Sequence, residues 1–138
     1  MNLGNTQATI LLVDDEVDVL DGLTTILIAA GYEVHSTGSP DGALRLLGEI
    51  QPDLIICDIN LGTHNGLALC ERIKRAMPSF SIPVMFLSGA QIPDVIRRAH
   101  AAGGTFYLRK PFDPQVLLEL VDKALWMPHV TSAHLERT

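Results

Sequence analysis

A short apolar run that ends in a single carboxylate constrains this chain more than any other feature. Leu54 to Cys57 are apolar and lead directly into Asp58, and the run is preceded by Pro52 and Asp53. A continuous apolar run of this length is typical of a strand buried on both faces, as in a parallel sheet. Asp58 would then lie at the carboxyl end of the strand, where open α/β sheets bind ligands. From this stretch alone, Asp58 is a metal ligand, a nucleophile or a cap for the following loop.

The rest of the chain alternates between apolar segments with strand character and segments with helical spacing. Besides 54–58, the predicted strands cover residues 8–13, 32–37, 82–87 and 105–108. The predicted helices cover residues 17–30, 40–50, 67–76 and 93–102 and a last segment from 113 to 125. Strict alternation predicts one α/β domain, a three-layer sandwich with a parallel five-stranded sheet between helices. We expect the domain to span residues 8–125, with terminal tails over 1–7 and 126–138.

Composition excludes several classes of function. The 138 residues, 47% apolar and 19% charged, suit one globular domain. A net charge of -6, with basic residues adjacent only in pairs, argues against direct nucleic-acid binding. No stretch has the length of a membrane span or the order of a signal peptide. Cys57 and Cys70 lack metal-ligand spacing and are predicted to be buried free thiols, so we expect a cytoplasmic protein without a membrane partner.

Polar side chains follow four of the predicted strands, and in a parallel sheet all of these ends share one edge. That edge would collect Asp14, Asp15, Asp58, Ser88 and Lys110. Two like charges about 4 Å apart repel by about 1 kcal/mol in water and about 4 kcal/mol at an effective dielectric of about 20. Three carboxylates therefore need cations. Lys110 supplies one charge, and Mg²⁺ on oxygen ligands would supply the rest.

These residue types are those needed to transfer a phosphoryl group. The Asp58 carboxylate can attack phosphorus and form an aspartyl phosphate. Mg²⁺ and Lys110 can neutralise the charge on the transferring group. Ser88 can donate a hydrogen bond to a phosphoryl oxygen, and Gly89 leaves the approach open.

Taken together, these motifs resemble the receiver domains of two-component response regulators. The matching segments are 14–16 (Asp-Asp-Glu), Asp58, 88–90 (Ser-Gly-Ala) and 107–112 (Tyr-Leu-Arg-Lys-Pro-Phe). The resemblance implies a flavodoxin-like fold with strand order 2-1-3-4-5. It also implies that Asp58 accepts a phosphoryl group from a histidine kinase or a histidine phosphotransfer protein. Mg²⁺ would be bound by Asp15, Asp58 and the backbone carbonyl of Asn60, with Asp14 acting through water.

The resemblance further implies a conformational switch. Ser88 would move toward the phosphoryl group, Lys110 would pair with it, and the aromatic ring of Tyr107 would turn inward. The Lys110–Pro111 bond is expected to be cis. A downstream protein, whose identity the sequence does not give, would read the change on the face formed by the fourth helix, fifth strand and fifth helix.

The chain also departs from the usual receiver pattern. Gly62 stands where many receivers have proline, and Asn60 and Ala90 occupy the positions that tune phosphoryl lifetime in the family. We expect His64 to be a solvated loop residue and Trp126 to pack against the end of the last helix. Because little sequence follows the domain, we expect a stand-alone, single-domain regulator.

Two alternatives stay open at this stage. A receiver-like adaptor would bind partners without being phosphorylated. A Mg²⁺-dependent phosphohydrolase of the haloacid dehalogenase type would use the same carboxylates, but it would have a second Asp where this chain has Asn60. Nucleotide-binding glycine motifs are absent from the sequence. We therefore expect a signalling phosphoacceptor rather than an enzyme.

Overall fold

The computed structural model describes residues 7–77, 81–89 and 106–137, with side chains described up to residue 126. Its strands are β1 (Thr9–Val13), β2 (Glu33–Thr37), β3 (Leu54–Asp58), β4 (Asn60–Leu61), β5 (His64–Asn65), β6 (Val84–Ser88) and β7 (Phe106–Arg109). Five strands form one parallel sheet in the order β2-β1-β3-β6-β7. This order confirms the predicted flavodoxin-like topology 2-1-3-4-5.

The central strands are apolar because both of their faces are covered. All five residues of β3 and all five of β6 are buried, whereas β2 and β7, at the two edges, are partly exposed. Continuous apolar sequence is the pattern expected for a parallel strand between two helical layers. The prediction from residues 54–58 is thus confirmed, and Asp58 is the last residue of its strand.

Four helices are described: α1 (Val17–Ala29), α2 (Pro40–Glu49), α3 (Gly66–Ala76) and α4 (Pro114–Arg137). One core cluster joins the sheet to side chains of α2 and α3, and a second joins it to side chains of α1 and α4. The helices therefore cover both faces, as a three-layer sandwich requires. The helix predicted over residues 93–102 lies outside the described residues.

Local capping sets where two helices begin. The side chain of Ser39 accepts a hydrogen bond from the Gly42 N–H, and Pro40 is the first residue of α2, as the sequence predicted. The side chain of Asn65 accepts hydrogen bonds from the Leu67 and Ala68 N–H groups at the start of α3. The sequence pattern places Asn65 in a loop and gives no signal for this cap.

The segment between β3 and α3 is more ordered than the predicted loop. β4 and β5 pair antiparallel, with Asn60 opposite Asn65 and Leu61 opposite His64. Gly62 lies in the turn with φ of 69°. Proline cannot adopt this positive φ, so the departure from the usual receiver sequence has a direct structural consequence. His64 is exposed, in agreement with its interpretation as a solvated residue.

The last helix differs from the prediction at its end. α4 continues to Arg137 instead of ending near residue 125. It runs through Pro128, because a proline removes one backbone hydrogen bond without necessarily ending a helix. Trp126 was predicted to pack, but it is 63% exposed. The buried residues of this helix include Val121 and Ala124, and a residue two positions beyond Ala124 points to the other side of the helix.

Two further expectations concern thiols and membranes. Cys57 and Cys70 are free and buried, as predicted. Burial raises the pKa of both thiols above its ordinary value, so both are protonated at neutral pH. Within the described ranges, no helix has both the length and the apolar character that crossing a bilayer requires.

Candidate functional site at the carboxyl edge of the sheet

Three charged side chains from distant parts of the chain meet at the carboxyl edge of the sheet. Asp14 follows β1, Asp58 ends β3, and Lys110 follows β7. The Lys110 Nζ donates hydrogen bonds to Asp58 Oδ2 at 2.5 Å and to Asp14 Oδ2 at 3.3 Å. Both carboxylates are buried, with exposures of 1% for Asp14 and 4% for Asp58. One lysine thus pairs with two buried acids and can offset the charge of only one of them.

The backbone fixes the second oxygen of each of these carboxylates. The Glu16 N–H donates to Asp14 Oδ1 at 2.9 Å, and the Asn60 N–H donates to Asp58 Oδ1 at 2.9 Å. Both bonds span two residues, the local pattern that Asp favours where a strand turns into a loop. One oxygen of each carboxylate therefore stabilises the loop that follows its strand, the role considered above for Asp58, and the other oxygen faces Lys110.

The site retains a need for positive charge. Burial raises the pKa of Asp14 to about 6, and the charge of Asp58 adds to this, while the Glu16 N–H and Lys110 oppose it. Burial acts to lower the pKa of Lys110, but its hydrogen bond to Asp58 and the charges of Asp58 and Asp14 outweigh burial and raise that pKa. Lys110 is therefore charged at neutral pH and still does not fully compensate Asp14.

We expect the Asp14→Asn variant to be more stable than the wild type without divalent cations. A carboxyl group whose pKa rises from 3.8 to about 6 on folding destabilises the folded state when ionised, here by about 3 kcal/mol at pH 7. The gain in the free energy of unfolding should be present above pH 6 and disappear as the pH falls to about 4, where the wild-type Asp14 is protonated. Urea denaturation of both proteins with a chelator at several pH values measures this difference in the free energy of unfolding. A variant that is less stable at pH 7 would contradict this account.

A cavity of about 370 Å³ opens above these groups. It is lined by Asp15, Glu16, Asp58, Asn60, Gly62, Gly89 and Lys110. Asp15 is exposed, and its Oδ2 lies 3.0 Å from where a Cβ would stand on Gly62. A side chain at residue 62 would therefore press on Asp15 and narrow the cavity. The cavity is also open beside Gly89, because a Cβ on this residue would meet no atom of the described residues within 4 Å.

The predicted switch residues lie on the two strands that precede Gly89 and Lys110. Ser88 is buried at the end of β6, and its carbonyl accepts a hydrogen bond of 2.7 Å from the Lys110 N–H. Tyr107 is half-buried in β7, lies opposite Phe86 in the sheet register, and packs on the cluster formed with α2 and α3. The Lys110–Pro111 peptide bond is cis, the isomer that the resemblance implied. Ala90 lies outside the described residues.

The donor set fits a hard divalent cation. Asp14, Glu16 and Asp58 each offer one oxygen, and these oxygens lie within 4.8 Å of one another. Carboxylate oxygens are the ligands that Mg²⁺ prefers, and a dication would relieve the repulsion that helps raise the pKa of Asp14. The predicted ligands Asp15 and Asn60 line the same cavity. Glu16 was not among the predicted site residues, although its place directly after the acidic pair was an available signal.

Comparison with known proteins identifies the family to which this chain belongs. Residues 10–122 match the family model described as response regulator receiver domain. The chain belongs to this family. Receiver domains partner with histidine kinases and downstream effectors, and Mg²⁺ at an acidic pocket is typical of them. The resemblance inferred from the motifs is thereby confirmed, as is the assignment to two-component signalling.

Solved receiver structures share the fold over most of this chain. A CheY-like receiver domain protein of Methanospirillum hungatei has a TM-score of 0.82 and 26% identity, covering 91% of this chain and 99% of that one. The chemotaxis response regulator CheY4 of Vibrio cholerae has a TM-score of 0.80 and 28% identity, covering 86% and 99%.

The similar curated proteins are longer than this chain. The DNA-binding transcriptional regulator NtrC of Azospirillum brasilense is 39% identical over 118 residues, which are 86% of this chain and 24% of that protein. The regulator RpaA of Synechocystis is 34% identical over 113 residues, 81% of this chain and 46% of that protein. The chain thus spans about a quarter to a half of these relatives.

Proposed function

We propose that this receiver domain is the phosphoacceptor of a two-component relay, with Asp58 as the acceptor. The observation that carries the proposal is the position of Asp58, which ends the central strand, lines the cavity and bonds to Lys110 at 2.5 Å. A buried carboxylate beside a charged lysine can act as a nucleophile toward an anionic phosphoryl group, because the lysine offsets the charge that the group brings. The donor would be a histidine kinase or a histidine phosphotransfer protein.

In the proposed transfer, an oxygen of Asp58 forms a bond to phosphorus while the bond from phosphorus to the donor's imidazole nitrogen breaks. The imidazole leaves with that electron pair. Lys110 exchanges its hydrogen bond to the carboxylate for one to a phosphoryl oxygen, and the Asn60 N–H keeps the other Asp58 oxygen in place. Mg²⁺, held by Asp15, Asp58 and the Asn60 carbonyl with Asp14 acting through water, would neutralise charge on the transferring group.

The acceptor is connected to a possible output through the sheet. The Lys110 N–H bonds to the Ser88 carbonyl, and Ser88 pairs with Arg109 in the register of β6 and β7. A movement of Ser88 toward a phosphoryl group would therefore act on β7, the strand that carries Tyr107. This link from Ser88 to β7 supports the predicted switch role of Ser88 and Tyr107. A downstream protein would bind the face that includes β7 and α4, which is the helix predicted as the fifth, and would respond to the change there.

Other predictions rest on the family and the sequence. We infer a cytoplasmic location from the family and from the two buried free thiols. The relatives named as DNA-binding are longer proteins, and we propose no direct nucleic-acid contact for this domain, whose net charge is -6. The boundaries 8–125 and the stand-alone organisation stay predictions. Asn60 in place of a second Asp disfavours a phosphohydrolase.

Intact-mass analysis of the full chain with acetyl phosphate tests the proposal. We expect a gain of one phosphoryl group that requires Mg²⁺ and is removed by hydroxylamine, which cleaves acyl phosphates. A chain that gains no phosphoryl group from acetyl phosphate or from a panel of histidine kinases would be an adaptor instead. Steady consumption of acetyl phosphate without a stored phosphoryl group would indicate a phosphohydrolase.

A further inference from the structure

Glu16 belongs to the acidic segment 14–16 and offers an oxygen to the candidate cation site, but the proposed transfer gives it no role. Its Oε1 lies 3.8 Å from the Lys110 Nζ, and its side chain is 64% exposed. One of its oxygens lies within 4.8 Å of oxygens of both Asp14 and Asp58. It also lines the cavity above Asp58. Its carboxylate is therefore the solvent-facing end of the charge cluster.

The local structure shows that Glu16 is not there to cap a helix. Glu16 occupies the N-cap position of α1, but its side chain makes no capping hydrogen bond. Acidic side chains at this position are ordinarily stabilised by the free N–H groups of the first turn. The Glu16 carboxylate lies instead beside Lys110, while its N–H holds Asp14 at 2.9 Å.

We propose that Glu16 is a specificity-determining residue that selects phosphoryl donors by charge. This inference rests on the proposed function. Any donor that reaches Asp58 enters the cavity that Glu16 lines, and a negative charge there repels an anionic donor in proportion to the donor's charge. Small dianionic phosphodonors are thus held back, while a donor whose own charge is lower or offset by a neighbouring cation is less affected.

The size of the effect follows from Coulomb's law. Two unit charges about 4 Å apart in water interact by about 1 kcal/mol, which is a factor of about 5 in a rate. Because the carboxylate is exposed and screened by salt, we expect about a threefold effect for each unit of donor charge.

The test compares two small donors that differ by one charge. Acetyl phosphate is a dianion at neutral pH and releases acetate, whereas phosphoramidate has a net charge of minus one and releases ammonia. In both reactions Asp58 forms the new bond to phosphorus and the leaving group takes the electron pair of the bond that breaks. Second-order rates of phosphorylation are measured by intact mass at saturating Mg²⁺ for the wild type, Glu16→Gln and Glu16→Asp. Glu49→Gln, at the exposed far end of α2, is the matched control.

We expect Glu16→Gln to raise the ratio of the acetyl phosphate rate to the phosphoramidate rate about threefold at low salt, and less at high salt. Glu16→Asp, which keeps the charge, and Glu49→Gln should keep the wild-type ratio. An unchanged ratio in Glu16→Gln would overturn this assignment and leave Asp58 as the acceptor. A wild type that takes no phosphoryl group from either donor would overturn the proposed function and this assignment with it.

Discussion

The Asp58→Asn variant will gain no phosphoryl group from acetyl phosphate under conditions in which the wild type is fully converted. The amide keeps an oxygen that can accept a hydrogen bond from the Asn60 N–H, which in the wild type donates to Asp58 Oδ1 at 2.9 Å. It lacks the charge that attacks phosphorus and the ion pair with Lys110 at 2.5 Å. The loss should be complete, because no rearrangement of the site turns a carboxamide into an acyl phosphate.

The loss must be separated from an effect on folding. Replacing one of two neighbouring buried carboxylates by an amide relieves repulsion, so Asp58→Asn should be at least as stable as the wild type in urea denaturation. Asp41→Asn is the matched control, since Asp41 is exposed on α2 and pairs with Arg72 at 3.4 Å. It should take up a phosphoryl group at the wild-type rate. Uptake by Asp58→Asn at a rate close to that of the wild type would rule out Asp58 as the acceptor.

The Gly66→Ala variant will have a free energy of unfolding about 3 kcal/mol lower than that of the wild type, at the upper end of the cost of overpacking. Gly66 is buried at the start of α3, and its N–H donates to the Ile59 carbonyl at 2.7 Å. A Cβ on this residue would collide with the backbone carbonyl oxygen of Asp58 and lie 2.9 Å from the Cys57 Sγ. The obstacle is the backbone of a central strand, which cannot rotate away as a side chain can.

Urea denaturation followed by circular dichroism measures this loss, and Gly48→Ala provides the control. Gly48 lies in α2, and a Cβ there meets no atom within 4 Å. That substitution should raise the stability by about 0.5–1 kcal/mol, because alanine favours the helix more than glycine does. If Gly66→Ala were as stable as the wild type, the close approach of α3 to β3 would not be a constraint on the fold. Because the collision involves Asp58 itself, the variant should also take up a phosphoryl group more slowly.

The main sheet and the polar residues at its carboxyl edge could be predicted because local patterns carry that information. Residues 54–57 are apolar throughout, and a parallel strand covered on both faces requires this. Once the strands are parallel, Asp14, Asp58 and Lys110 must share an edge, whatever the details of packing. The placement of these three residues at one edge therefore followed from the topology, whereas the contacts of Lys110 with Asp14 and Asp58 depend on packing.

The errors arose where a contact, rather than a pattern, decides the structure. Trp126 was expected to pack because it is large and apolar, but the helix turns it away from the core. The side-chain cap at Asn65 and the pairing of β4 with β5 depend on a few hydrogen bonds in a polar segment, where hydrophobic spacing gives no signal. The end of α4 was misplaced because residues 126–138, which include Pro128, were predicted to be a terminal tail.

The sequence by itself determined the fold class, and the family resemblance of its motifs gave the strand order. The role of Asp58 as phosphoacceptor stays a proposal. Only the tertiary structure decided that Glu16 faces Lys110 at 3.8 Å instead of capping α1, and that Gly66 must lack a side chain beside Asp58. The physical reason is one of range. Burial periodicity is encoded by neighbours along the chain, whereas the distance between two side chains from different elements is set by how those elements pack.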